Sequence, residues 1–146
     1  MLTNMSKLLT GDLLKILCDM GHGDTIVIAD GNFPGETMGK RVIRMPGIDV
    51  TSVLKALAPI FPLDVAYSEF PAQVMEITDS DKAKGMGEPP AYADFTAALK
   101  PLYPDLTLGK VERYAFYEKA KNAYAVIMTG EERIYGNILL TKGVVL

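Results

Sequence analysis

The sequence is poor in the residues that form metal sites and disulfides. Its 146 residues contain one cysteine, Cys18, and one histidine, His22. An intrachain disulfide needs two cysteines, and a zinc site of the usual kind draws four ligands from cysteine and histidine, so both are excluded. The sequence therefore predicts no metal site. Because Cys18 falls on the apolar face of a predicted helix, we expect it in the core.

Long apolar runs and an excess of positive charge are absent as well. Asp12 and Lys15 interrupt the N-terminal stretch, which does not resemble a secretory signal peptide. No apolar run approaches the roughly 20 residues of a membrane span. Fifteen Lys and Arg against 18 Asp and Glu give a net charge of −3, which argues against a nucleic acid or an anionic membrane as partner. We expect a cytoplasmic protein.

What the sequence does contain is material for a packed core. Hydrophobic residues make up 49% of the chain, which is enough for a globular protein and argues against disorder. A length of 146 residues fits one domain and is short for two. We therefore predict a single domain over residues 1–146.

Helical and strand patterns alternate along the chain, which is typical of an α/β fold. Residues 79–90, which are polar and carry Gly and Pro, are predicted to form a mobile loop. The predicted helices cover residues 10–21, 49–60 and 91–103, with a short helical turn over 117–123. The predicted strands cover residues 25–30, 40–45, 72–77, 110–116 and 123–130, with a final strand after residue 137.

His22 is the first candidate for chemistry. It lies between Gly21 and Gly23, just after a predicted helix, and an imidazole can both give and take a proton near neutral pH. Flanking glycines allow a ligand to approach closely. The alternative is a solvated histidine beside a glycine that ends the helix, and the local sequence does not decide between the two.

Asp30 is the second candidate, because it ends a predicted buried strand. Ligands of open α/β sheets gather outside the carboxyl ends of the strands, where a carboxylate can bind hydroxyl groups. The alternative is a turn that Asp30 opens through its own side chain. The glycines nearby match no phosphate-binding pattern.

Two segments near the C-terminus combine hydrogen-bonding and aromatic side chains. RYAFYEKA contains Arg113, and RIYGN contains Tyr135 and Asn137. Such a mixture suits a neutral polyol, whose hydroxyls pair with planar polar groups and whose ring packs on aromatic faces. Taken singly, each aromatic residue is equally compatible with a place in the core.

Three stretches of the chain form a joint pattern: LLKILCDMGHGDTIVIADGNFP, MPGIDVTSVLKALAPIFPLD, and RYAFYEKAKNAYAVIMTGE with the following RIYGNILLTKGV. Together they resemble the RbsD/FucU family of sugar mutarotases, and its L-fucose branch more than its D-ribose branch. The similarity begins near residue 8 and weakens over residues 79–108. It implies a three-layer α/β/α domain. It also implies a ring-shaped homo-oligomer, commonly a decamer of two pentamers, with its sites at contacts between subunits.

The resemblance also implies roles for individual residues in a monosaccharide site. His22 matches the family's proton donor, and Tyr135 is a candidate for the second catalytic group. The residues that match sugar ligands are Asp30, Arg113, Tyr135, Gly136 and Asn137. One position departs from the pattern, because Asn32 stands where many relatives have a second histidine, and an amide cannot carry a proton.

The implied reaction is the interconversion of α and β anomers of a free sugar, with L-fucose as the expected substrate. Opening and closing a cyclic hemiacetal needs only proton transfers, so no cofactor is expected. Two alternatives stay open. One is a D-ribose pyranase that acts through the same open-chain form, and the other is a sugar-binding or structural ring protein without activity.

Overall fold

One six-stranded sheet organises residues 2–146, the part of the chain that the computed structural model describes. The strands in this range are β1 (Thr25–Ala29), β2 (Val42–Met45), β3 (Ala72–Met75), β4 (Gly109–Val111), β5 (Ala125–Thr129) and β6 (Ile138–Thr141). The helices are α1 (Gly11–Asp19), α2 (Gly35–Met38), α3 (Val50–Leu57), α4 (Asp79–Ala83), α5 (Pro90–Leu99) and α6 (Arg113–Asn122).

The strand order, β2-β5-β1-β6-β3-β4, brings several strand ends to one edge of the sheet. β2, β5 and β1 are parallel, as are β3 and β4, and β6 runs antiparallel between β1 and β3. Because of this, β6 begins where β1 and β3 end, with Ile138 paired to Ile28 and Val74. Segments that are distant in sequence therefore meet at this edge.

Helices cover both faces of the sheet. In β1, Ile26 and Ile28 pack with α1, α3 and α5, whereas Val27 and Ala29 pack with α6. This alternation follows from the two-residue period of a strand, and the unbroken apolar sequence of β1 reflects burial on both sides. The predicted three-layer α/β/α fold is confirmed.

The prediction of a loop over residues 79–90 is wrong in its first half. Thr78 caps α4 with its side chain, which accepts a hydrogen bond from the Asp81 N–H. The helix ends before Gly85, whose φ of 86° lies in the left-handed region. A five-residue polar helix has no apolar periodicity, so the pattern of the sequence could not reveal it.

The predicted strand over residues 110–116 is too long. β4 stops at Val111, and Glu112 caps α6 by accepting hydrogen bonds from the N–H groups of Tyr114 and Ala115. Arg113 is consequently the first residue of a helix. An acidic side chain at this position satisfies N–H groups that a helix leaves unpaired at its start.

Cys18 is exposed, so the expectation of a core cysteine is wrong. Leu13 and Leu17 carry the buried face of α1, and one residue beyond Leu17 the helix has turned by about 100°. No helix within residues 2–146 is long and apolar enough to cross a membrane.

Candidate active site

A cavity of about 240 Å³ opens at the edge of the sheet where β1 and β3 end and β6 begins. Its walls combine carboxylate, amide, guanidinium, phenol and apolar side chains. The lining residues are Asp30, Asn32, Phe33, Met75, Asp81, Arg113, Tyr117, Ile134, Tyr135 and Asn137. Four of the residues predicted from the sequence, Asp30, Arg113, Tyr135 and Asn137, are thus brought together in one chain.

Asp30 and Asn137 form the buried floor of the cavity. The Asp30 N–H donates to Asn137 Oδ1 at 2.8 Å, and Asn137 Nδ2 donates to Asp30 Oδ2 at 2.9 Å. The Asn32 N–H donates to Asp30 Oδ1 at 3.0 Å. Burial raises the pKa of Asp30 and outweighs the hydrogen bonds that its carboxylate accepts from Asn32 and Asn137, which act in the opposite direction. These two hydrogen bonds hold the carboxyl group in a fixed orientation at the floor.

Arg113 and two aromatic rings form one side wall. Arg113 Nε donates to the Tyr117 hydroxyl at 3.2 Å, and the guanidinium carbon lies 5.7 Å from the centre of the Tyr117 ring. The rings of Tyr117 and Phe33 are 5.7 Å apart. The wall offers guanidinium donors beside an apolar face.

Tyr135 has an unusual backbone that its neighbours hold in place. Its φ of 62° lies in the left-handed region, which is uncommon for a residue with a side chain. At Gly136, a Cβ atom would lie 2.7 Å from Glu131 Cγ and 2.8 Å from Arg133 O, so that only glycine fits. This Tyr135–Gly136 turn places the Tyr135 ring on the cavity and Asn137 at its floor.

A bidentate ion pair anchors the loop that carries Tyr135. Arg133 Nε and Nη2 each donate to one carboxylate oxygen of buried Glu131 at 2.9 Å. Arg133 Nη1 reaches Asp94 Oδ2 on α5 at 2.6 Å. The Arg133 guanidinium holds the pKa of Glu131 below its usual value.

His22 lies away from this cavity. It sits in the turn before β1, whereas Asp30 follows the last residue of β1, and the five residues of the strand span about 16 Å. The His22 side chain is 42% exposed. Within one chain, the structure therefore separates the predicted proton donor from the predicted sugar ligands.

Asp64 is the neighbour of His22 that the sequence analysis missed. Asp64 Oδ1 lies 3.4 Å from His22 Nε2, and the rings of His22 and Tyr67 are 5.2 Å apart. Asp64 is 4% exposed and accepts hydrogen bonds from Ser68 Oγ at 2.7 Å and the Tyr67 N–H at 3.3 Å. The Ser68 hydrogen bond, followed by His22, lowers the pKa of Asp64. No motif in the sequence links Asp64 to His22.

A model of the RbsD / FucU transport protein family matches residues 3–145. The chain belongs to this family. This membership confirms the family resemblance drawn from the sequence motifs.

Curated relatives match the chain over almost its whole length. The human protein named fucose mutarotase is 42% identical over 146 residues, covering 98% of this chain and 94% of the human protein. The L-fucose mutarotase of Histophilus somni is 39% identical over 145 residues, covering 99% and 97% respectively.

Solved structures of the family share the fold. The fucose mutarotase of Streptococcus pneumoniae, in complex with L-fucose, has a TM-score of 0.91 and 36% identity, covering 99% of this chain and 100% of that chain. The FucU protein of Bifidobacterium longum has a TM-score of 0.90 and 44% identity, with coverages of 97% and 99%. RbsD of Bacillus subtilis, complexed with D-ribose, has a TM-score of 0.68 and 24% identity, which supports the fold alone.

Proposed function

We propose that this protein is a mutarotase that interconverts the α and β anomers of L-fucose, and thus an isomerase. The observation that carries the proposal is the match, at 39–44% identity over nearly the full chain, to proteins named fucose mutarotase. A structural neighbour crystallised with L-fucose supports the same sugar. The cavity adds a chemical argument, because its mixed polar and aromatic lining suits a neutral sugar ring.

The reaction requires two proton transfers and a rotation. One proton leaves the anomeric hydroxyl while another reaches the ring oxygen, and the C–O bond of the hemiacetal opens. The carbonyl group then rotates and the ring closes on its other face. A positioned acid–base group accelerates such proton transfers by about 10²–10⁴-fold.

The cavity residues supply binding and orientation. Asp30, fixed by Asn137, accepts hydrogen bonds from sugar hydroxyls, and Arg113 donates to sugar oxygens. The rings of Tyr117 and Phe33 pack against the apolar face of the sugar. Holding the ring in this way lowers the entropic cost of the reactive arrangement.

His22 supplies the proton, with Asp64 as its orienting partner. A carboxylate beside an imidazole fixes the orientation of the ring and stabilises its protonated form. Since Asp64 faces Nε2 at 3.4 Å, Nδ1 is left to exchange a proton with the sugar. Asp64 is itself buried and held by Ser68, so the pair is preorganised.

Because His22 and the cavity lie at opposite ends of β1, the complete site needs two subunits. The His22 edge of one copy covers the cavity of another. Such a contact joins two different surfaces, and its repetition closes into a ring. As the family resemblance implies, we propose a homo-oligomer, specifically a decamer of two pentameric rings, in the cytoplasm.

Exposed apolar residues at both edges support this contact. Near His22, Val65 is 60% and Tyr67 75% exposed, and Val145 is 87% exposed. The Gly143 N–H donates to Pro62 O, which brings the C-terminal residues to the same edge.

Around the cavity, Ile134 is 53% and Tyr114 70% exposed. Large exposed apolar side chains grouped in this way mark interaction surfaces.

Saturation-transfer NMR on equilibrated sugars tests the function. The protein should accelerate anomer exchange of L-fucose, and His22→Ala should abolish the acceleration. A panel with D-ribose and D-galactose separates the alternatives. Pyranose–furanose exchange of D-ribose alone would indicate a pyranase, and binding without faster exchange would indicate a sugar-binding protein. Either result would overturn the proposal, as would full activity of the His22→Ala variant.

A further inference from the structure

The hydroxyl group of Tyr135 has two partners inside the protein. It donates to Asp81 Oδ2 at 2.6 Å and accepts from the Thr78 N–H at 3.2 Å. Its distance to Thr78 Oγ1 is longer, at 3.4 Å, so the carboxylate takes the proton. Both partners belong to the start of α4, the helix that the sequence analysis did not predict. Neither Asp81 nor Thr78 was a candidate site residue.

Asp81 is well held as an acceptor. Thr78 Oγ1 donates to the same Oδ2 atom at 3.1 Å, and Lys84 Nζ approaches Oδ1 at 3.3 Å. The hydrogen bond from Tyr135, followed by that from Lys84, lowers the pKa of Asp81, so the carboxylate is ionised at neutral pH. Hydrogen bonds to an ionised acceptor are about twice as strong as those between neutral groups.

A phenol has a single proton to donate. Since Asp81 receives that proton, the Tyr135 hydroxyl can offer a ligand in the cavity only its remaining acceptor capacity. Tyr135 and Asp81 both line the cavity, so this restriction applies at its surface. A ligand group that can only accept hydrogen bonds then finds no donor at Tyr135.

We infer that Asp81 is a specificity-determining residue that acts through Tyr135, making the Tyr135 hydroxyl an obligate acceptor for one sugar hydroxyl. This inference rests on the proposed function, because it names how the same site recognises its sugar. It differs from a structural role of α4, since a loosened helix would weaken binding of every sugar alike. A fixed proton direction instead selects at one position of the ring.

Fluorinated sugars measure this selection directly, because fluorine in place of a hydroxyl accepts a hydrogen bond only weakly and cannot donate one. The probes are L-fucose and four analogues, each with fluorine replacing one ring hydroxyl. Their dissociation constants are measured by calorimetry on the native assembly of the wild-type, Asp81→Ala and Asp79→Ala proteins. Asp79 is the matched control, because it lies on the same helix and its side chain is fully exposed.

The wild-type protein should bind the analogue with fluorine at the position that meets Tyr135 at least about 10-fold more weakly than L-fucose, since a site built to receive a hydroxyl proton rejects a group without one. In Asp81→Ala, the freed Tyr135 O–H can donate. The ratio between the dissociation constants of that analogue and of L-fucose should then fall to about 3-fold or less. Asp79→Ala should keep the wild-type ratio. Tyr135→Phe should remove the selection, and adding Asp81→Ala to it should change nothing further.

The possible failures are distinguishable. If the wild-type protein binds L-fucose but penalises no analogue, or if Asp81→Ala keeps the wild-type ratio, the inference is overturned while the proposed function stands. A uniform loss of affinity for all five sugars in Asp81→Ala also overturns it, in favour of a structural role. If the wild-type protein binds none of the sugars, the proposed function and the inference fail together.

Discussion

Asp30 and Asn137 hold each other through two hydrogen bonds that run in opposite directions, one from the Asp30 backbone and one to its carboxylate. The pair joins the end of β1 to the residue before β6, and both side chains are 4% exposed. The pair fixes the orientation of the Asn137 amide, with its oxygen toward the Asp30 N–H and its nitrogen toward the Asp30 carboxylate. A buried carboxylate and a buried amide thereby satisfy each other at the floor of the cavity.

Replacing Asn137 by alanine should therefore destabilise the protein. The Asp30 carboxylate and its N–H would both lose a partner, which costs about 1–3 kcal/mol for a buried group. Denaturant unfolding measures this change in the free energy of unfolding. Asn122→Ala is the control, because Asn122 is exposed and its amide donates to Glu118 O within its own helix. Equal free energies of unfolding in the two variants would show that the hydrogen bonds between Asp30 and Asn137 do not stabilise the protein.

Replacing Asp64 by asparagine should slow anomer exchange at least about 10-fold while the protein stays folded, because His22 loses the carboxylate that orients it. Exchange spectroscopy measures the rate, and a thermal melt reports folding. Glu69→Gln removes a nearby exposed carboxylate and should leave the rate unchanged. An unaltered rate in Asp64→Asn would show that His22 works without this partner.

The ion pair of Glu131 and Arg133 predicts a pH-dependent stability. The pKa of Glu131 is lowered in the folded state. Its contribution to the free energy of unfolding is therefore present above the pKa of the unfolded state, about 4.3. That contribution is lost as the pH falls through the lowered pKa of the folded state. Glu131→Gln should be less stable than wild type by about 1–3 kcal/mol at pH 7, with the gap closing below pH 4.

Unfolding free energies measured between pH 3 and pH 7 test this behaviour. Glu132→Gln serves as the control, because the neighbouring Glu132 is exposed, and its curve should follow that of the wild type. A gap between Glu131→Gln and wild type that stays constant down to pH 3 would contradict the ion pair as its cause.

Subunit mixing tests whether His22 of one copy serves the cavity of another. His22→Ala and Arg113→Ala should each be inactive alone, because each lacks one half of every site. In mixed rings formed by co-expression in equal amounts, about a quarter of the contacts join an intact His22 edge to an intact cavity. Exchange activity should return to roughly that fraction of wild type. Mixed rings that stay inactive would place the whole site within one chain.

The parts of the site that follow local patterns were predictable from the sequence. Asp30 is predicted because it ends a strand with an uninterrupted apolar sequence, and Asn137 because the segment RIYGN combines polar and aromatic side chains and matches the family's sugar ligands. The structure brings both to one cavity. The placement of Asp30 follows from the general rule that ligands gather at the carboxyl ends of strands.

The missing parts depend on contacts between distant segments. Asp64 lies in a stretch without regular periodicity and meets His22 only through the pairing of Leu63 with Lys142 and of Gly23 with Lys142. Asp81 lies on a short polar helix whose only sequence signal is its cap. The exposure of Cys18 depends on which side of α1 faces the core, and an apolar stripe that includes both Leu17 and Cys18 does not specify this.

The position of β6 has a consequence for the order in which the protein folds. β1, β5 and β2 form one group of strands, β3 and β4 form another, and β6 is the strand that joins them. Until residue 141 has left the ribosome, neither group can pair across this gap, and the cavity floor lacks Asn137. The nascent chain consequently leaves the facing edges of β1 and β3 unpaired until β6 is made, and unpaired strand edges favour aggregation.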